Sequence, residues 1–233
     1  MSVVLVLQHA TWERPGRVVD ALTGLTLVTR SVAAEPEPDL PAAESLAGLV
    51  VMGGPQRAND DATWPGLAAE RRLLARAVDH GVPVLGVCLG MQLLAVALGA
   101  HLHSGHGEIG FATVDVRRPD PFLHPLGDAP TVLHWHSDAV DLPAGATLLA
   151  SSATTPVQAF RIEAALGLQF HVEVGPGLLT EWLRTPEMTA GVPSAVLARL
   201  RADGPHHAER LAAGATAALA TFAATVRERA GAE

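Results

Sequence analysis

The stretch PVLGVCLGMQLLA, residues 83–95, decides the fold. A short apolar run, Val84 to Val87, leads into Cys88, the only cysteine in the chain, and a helical pattern follows at once. Gly86 and Gly90 flank the thiol, so side-chain crowding at the corner is low and a tight strand-to-helix turn is open to it. A strand that ends on such a corner belongs to a parallel sheet, where ligands gather at the carboxyl ends of the strands. A thiol there sits at a helix N-terminus, whose free N–H groups and positive dipole end favour thiolate. A buried free cysteine also packs well as a small hydrophobe, so the corner alone does not prove chemistry.

Upstream of the corner, SVVLVL (2–7) and GLVVMGGP (48–55) read as strands buried on both faces. LTLV (25–28) reads as a third, shorter strand. Between them lie a short helical pattern after Pro15 and Gly16 and a proline-rich acidic loop at 33–43. A helix is predicted from Gly66 to His80, with Leu67, Leu74 and Val78 on one face. Another is predicted over residues 91–99, closed by Gly99. Strand and helix therefore alternate through the first hundred residues. This predicts an α/β fold: an open, mostly parallel sheet with helices on both faces, of the flavodoxin-like kind.

Beyond residue 100 the rhythm changes. FATVDV (111–116), TVLHW (131–135), ATLLAS (146–151), VQAFRI (157–162) and LGLQFH (166–171) read as short strands that extend the sheet antiparallel and add a small ribbon. From Pro176 the chain reads as helical, ending in an alanine-rich pattern over roughly 207–229. The expected organisation is one domain over 1–175 with a helical C-terminal extension, 176–233, packed on it.

The net charge is −8 with no lysine, which argues against nucleic acid and anionic membranes as partners. A single cysteine suits a reducing cytoplasm. The first ten residues lack a basic flank and an apolar run long enough for a signal peptide or a membrane span.

A thiolate nucleophile needs a base, and the base needs an orienting group. LQFHVEV supplies both: His171 and Glu173 alternate on an extended segment and face the same way, with Val172 pointing elsewhere. HLHSGH (101–106) brings His101, His103 and His106 close in sequence, with His134 and His136 later. Their spacing matches no standard zinc site, so no metal is expected. Glu108, in GEIGF, has no chemistry that the sequence can assign.

Gly86-Val87-Cys88-Leu89-Gly90-Met91-Gln92 resembles the nucleophile motif of class I, or triad, glutamine amidotransferases, and Gln169-Phe170-His171-Val172-Glu173 resembles their His–Glu motif. Met52-Gly53-Gly54-Pro55 is similar to the family's oxyanion loop, and HWHSDAVDLPAGATLLASS (134–152) to the substrate-holding stretch of guanosine monophosphate synthetase-type members. The four motifs stand in the family's order. The resemblance implies a glutaminase with a Cys88, His171, Glu173 triad, working through a thioester. It implies an oxyanion hole at the Gly54 and Leu89 N–H groups, and a glutamine pocket formed by Gly53, Gln92, Trp135, His136 and Asp138. It implies no cofactor, and ammonia passed to an acceptor held by a synthetase-type partner. A γ-glutamyl amide or peptide hydrolase with the same triad is the alternative. The family usually has proline where this chain has Val172. Nothing past residue 175 resembles a synthetase, and no phosphate-cradling glycine loop occurs there.

Overall fold

A computed structural model describes residues 2–231. The first half builds the parallel sheet that the alternation predicts. Strands β1 (Val3–Leu7), β2 (Leu27–Arg30), β3 (Leu46–Val51) and β4 (Val84–Val87) run parallel; helix α1 (Arg17–Ala21) joins β1 to β2, α2 (Gly66–Asp79) joins β3 to β4, and α3 (Leu89–Ala97) follows β4. After α3 come β5 (Leu102–Thr113), β6 (Asp115–Val116), β7 (Thr131–Val140), β8 (Thr147–Ser151), β9 (Ala159–Ile162) and β10 (Ala165–Leu168). The main sheet has the order β2-β1-β3-β4-β10-β9-β8-β6, with β10 parallel to β4 and the last three strands antiparallel. β5 and β7 form a separate antiparallel ribbon. The chain closes with α4 (Pro176–Trp182), α5 (Pro186–Thr189) and α6 (Ser194–Gly231).

The central strands are apolar on both faces because both are covered. Val4, Val6, Val50, Leu85 and Leu166 point into one core, and Leu5, Leu7, Leu49, Val51 and Val84 into the other. Helices α2 and α3 fill the second core with Leu67, Leu74, Met91 and Leu94. Helix α6 fills the first with Leu211, Ala215, Ala218, Leu219, Phe222 and Val226, spaced as one face of a 3.6-residue period. α6 is thus one of the two layers over the sheet.

Three boundaries differ from expectation. α3 begins at Leu89, so the cysteine is itself the N-cap. β5 runs through the histidine-rich stretch that reads as a connector. α6 starts at Ser194 and carries Pro205 within it. Gly204-Pro205 reads as a helix breaker, yet Leu200, Gly204 and Ala208 are buried along one face, Leu200 and Ala208 in a cluster with Leu179 and Trp182. Tertiary packing there outweighs the local cost of proline. Among the described residues, no helix is long and apolar enough to cross a membrane.

Candidate active site

Cys88 stands where β4 ends and α3 begins, with φ 53 and ψ −107. It is one of two non-glycine residues with positive φ among those described, a conformation that costs free energy and persists only where the surroundings impose it. Its N–H is held by the Leu168 carbonyl at 2.8 Å. The glycines explain how the corner closes. A Cβ on Gly90 would collide with the Val51 carbonyl, and one on Gly86 would lie 2.7 Å from the Gly90 backbone. The thiol donates toward the Trp135 carbonyl at 3.6 Å. Leu89, the first helical residue, has an N–H with no intrahelical acceptor.

His171 and Glu173 lie beyond the end of β10, on a bent segment rather than in the longer strand the sequence suggests. An isolated bridge holds this segment, His171 N–H to the Leu133 carbonyl at 2.8 Å. The alternation still operates: His171 Nδ1 and Glu173 Oε1 are 2.7 Å apart, both side chains 1% exposed. Val172, in the place of the usual proline, is fully buried in the core. Arg17 ties the segment down by donating to the Val172, Val174 and Ala208 carbonyls. Trp182 packs edge-on to the His171 ring, centroids 5.0 Å apart. Burial pushes the imidazole pKa down, while the Glu173 charge, the Cys88 side chain and the Glu173 hydrogen bond push it up, for a net rise well above the ordinary value. His171 Nε2 is buried and makes no hydrogen bond. It is the free ring nitrogen, the one a general base would use.

The glycine loop after β3 is fixed from below. His9 Nδ1 donates to the Gly53 carbonyl at 3.1 Å, and its Nε2 pairs with Glu70 at 2.8 Å, both side chains 1% exposed. Both ring nitrogens thus face acceptors, the arrangement of an imidazolium. Burial lowers the His9 pKa, and Glu70, the Gly53 carbonyl and Glu13 raise it by more. Because the Gly53–Gly54 peptide is trans, the Gly54 N–H points away from His9.

A cavity of about 360 Å³ lies above these groups. Cys88, His171, Gly54, Gln92, Trp135, His136 and Asp138 all line it. Leu89 and Gly53 do not line it; Gly53 packs against Glu13 and the His171 ring instead. Gln92 donates to the Asp138 carbonyl and to Gln169 Oε1, and Asp138 accepts from Arg57 Nε at 3.0 Å. So Gln92 and Asp138 are already tied into the wall. Of the three clustered histidines, neither His101 nor His103 lines the cavity. His103 pairs with Asp141 at 2.9 Å, His101 is exposed, and the side chain of His106 lies outside the described residues.

Sequence reasoning missed two contributors. Glu13 lines the cavity, is 7% exposed and touches the Gly53 position beside His171. Burial raises its carboxyl pKa to about 7, against opposing pulls from His171 and His9 and a further push from Glu173. The signal was present: Glu13 follows β1, at the same carboxyl edge of the sheet as Cys88. The second is the segment carrying Glu187, Met188, Ala190 and Val192, which closes over the cavity from α5. No sequence pattern announces that approach.

Comparison with known proteins agrees with this fold. The solved structure of a glutamine amidotransferase from Methylobacillus flagellatus superposes with a TM-score of 0.84 at 28% identity, covering 97% of this chain and 95% of that one. One from Thermotoga maritima gives 0.81 at 27% identity, covering 95% and 98%. A separate subunit of the glutamine-hydrolysing GMP synthase of Methanosarcina barkeri is 38% identical over 154 residues, which is 62% of this chain and 76% of that protein. The GMP synthase of Thermobifida fusca is 35% identical over 148 residues, so the match spans only 26% of that longer protein. The family description "Glutamine amidotransferase class-I" matches residues 18–185, most of the sheet together with the cysteine corner and the His–Glu segment. With that span matched, the chain belongs to the class I glutamine amidotransferase family.

Proposed function

We propose that this protein hydrolyses the side-chain amide of glutamine through a thioester on Cys88. The Cys88 sulfur attacks the amide carbon, and its proton passes to His171 Nε2. The Gly54 and Leu89 N–H groups stabilise the oxyanion. His171 then protonates the departing ammonia, and a water molecule deprotonated by the same nitrogen releases glutamate. Glu173 orients the ring and stabilises the imidazolium. Gln92, Trp135, His136 and Asp138 form the pocket wall that receives the amino-acid end, and Gly53 contributes through its backbone. The observation that carries this reading is the convergence on one cavity of a cysteine at a strained helix start and a histidine held by a buried glutamate.

Ammonia made at Cys88 would need an acceptor, and a synthetase-type partner docked over the cavity is the family-like solution. One observation favours the second reading, a γ-glutamyl amide or peptide hydrolase. The chain's own residues 187–192 already wall the cavity where a partner would sit. The deciding experiment compares the isolated chain's turnover of glutamine with that of γ-glutamyl amines, reading ammonia and amine separately. Slow glutaminase activity raised by a co-purifying synthetase supports the amidotransferase. Fast release of amine by the chain alone supports the hydrolase.

A further inference from the structure

The ribbon of β5 and β7 carries a cluster of which the proposed function uses only His136, as part of the pocket wall. In the antiparallel register Glu108 stands directly opposite His136, and Gly110 opposite His134. His134 and His136 are two apart on one strand, so both rings and the Glu108 carboxylate share a face. One ligand atom from each of the three lies within 4.8 Å of the others.

The separations do not suit direct hydrogen bonds. Glu108 Oε2 is 3.5 Å from His136 Nε2 and 3.9 Å from His134 Nδ1. Short, strong pairs of this kind stand below about 3.0 Å. Two ligand atoms each about 2.0–2.2 Å from one metal ion, at a tetrahedral angle, are separated by roughly 3.3–3.6 Å. The His136–Glu108 pair has that spacing, and the His134–Glu108 pair is a few tenths of an ångström wider, so the three groups would close on an ion with a small shift of the His134 ring.

The protonation chemistry and the surrounding shell agree. His136 Nδ1 is committed to the Asp138 carbonyl at 3.0 Å, which leaves Nε2 as the lone-pair nitrogen facing Glu108. His134 is fully buried; the Ala112 backbone is close enough to favour its protonated form, but neither ring nitrogen makes a well-aligned hydrogen bond. An orphaned buried imidazole is costly unless something is meant to meet it. The carboxylate is held in turn by Ser152 Oγ at 2.9 Å and Gln158 Nε2 at 2.5 Å, as ligating carboxylates are.

We propose that Glu108, His134 and His136 bind one divalent transition cation of the zinc class, with a fourth position open to water. The cation would cross-link β5 to β7 just beyond the place where their ladder is interrupted, between Ser104 and Glu108. That ribbon supplies Trp135, His136 and Asp138 to the cavity wall, so the ion would hold the wall from behind. The site shares His136 with the pocket wall but takes no part in the cysteine chemistry, and its metal binding stands or falls independently of it.

The test uses the full chain in a Cys88→Ala background, so that the thiol cannot bind metal, stripped with chelator and titrated with cobalt(II) and then zinc. One equivalent of cobalt per chain, with visible ligand-field bands and displacement by zinc, is the expected result. His134→Gln, which keeps the side-chain volume, and Glu108→Gln should each weaken binding about 100-fold or more and abolish the zinc-dependent rise in Tm. Circular dichroism checks that both variants fold, and His134→Ala serves as a second probe if the glutamine variant does not. Absence of stoichiometric binding by the Cys88→Ala chain, or equal affinity in the His134 variants, overturns the proposal. Binding that survives both substitutions but is lost on His103→Ala overturns it too, because the ion then sits elsewhere.

Discussion

Replacing Glu13 by glutamine should make the protein more stable above neutrality and flatten its pH dependence. The Glu13 carboxyl lies in the cavity beside Gly53 and His171, and burial raises its pKa from 4.5 to about 7. The folded state therefore binds a proton that the unfolded chain releases over that range. Where the folded state holds more protons, stability falls as pH rises. The loss begins near 4.5 and is complete above about 7. At 1.36 kcal/mol for each tenfold change in proton affinity, the ceiling on that loss is about 3 kcal/mol. The attractions of His9 and His171 are already contained in the figure, since both pull the carboxyl down. Glutamine fills the same space without a titrating group. Urea unfolding of both proteins from pH 4.5 to 8 measures the difference directly. The variant should gain about 2–3 kcal/mol over the parent between pH 5 and pH 8. Parallel stability curves would show that Glu13 keeps an ordinary pKa, and the reasoning from burial would fail.

Other predictions follow from the same geometry. His171→Ala should lower kcat by several orders of magnitude and Glu173→Ala by less, because one moves the proton and the other only orients it; a worse Glu173 variant would reverse the roles. Gly90→Ala should destabilise by about 3 kcal/mol or more in a denaturant titration, since the new methyl meets the Val51 carbonyl, a backbone atom in a central strand. His9→Gln should reduce kcat about 10²-fold with little change in KM, because it frees the Gly53 carbonyl and with it the orientation of the Gly54 N–H. Asparagine should be a poor substrate, its amide falling one methylene short of Cys88, and initial rates on both amides measure this.

The parallel sheet was legible because its strands are continuous apolar runs and its links are short. The Cys88 corner was legible because glycines at 86 and 90 are needed where backbone crosses backbone. The His171–Glu173 pair followed from simple alternation, even though the strand assigned to it stops at Leu168. What stayed hidden depends on contacts between distant segments. Glu13 and His9 reach the glycine loop from the end of β1, a placement that the strand order fixes and local pattern does not. Residues 187–192 reach the cavity because α4 packs on α6, which covers the sheet, and Gly204-Pro205 disguised the start of α6. Of the histidines clustered in sequence, neither His101 nor His103 joins the cluster in space: His134 and His136 meet Glu108 across a ladder whose register is set by tertiary pairing.

The central claim is that Cys88 carries the acyl group during amide hydrolysis. Acid quenching during turnover of glutamine, followed by peptide mass spectrometry, tests it most directly. A glutamyl thioester on the peptide containing Cys88, removed by hydroxylamine and absent from Cys88→Ser, is the predicted result. Steady release of ammonia with no adduct on that peptide, or undiminished turnover by Cys88→Ser, would contradict it.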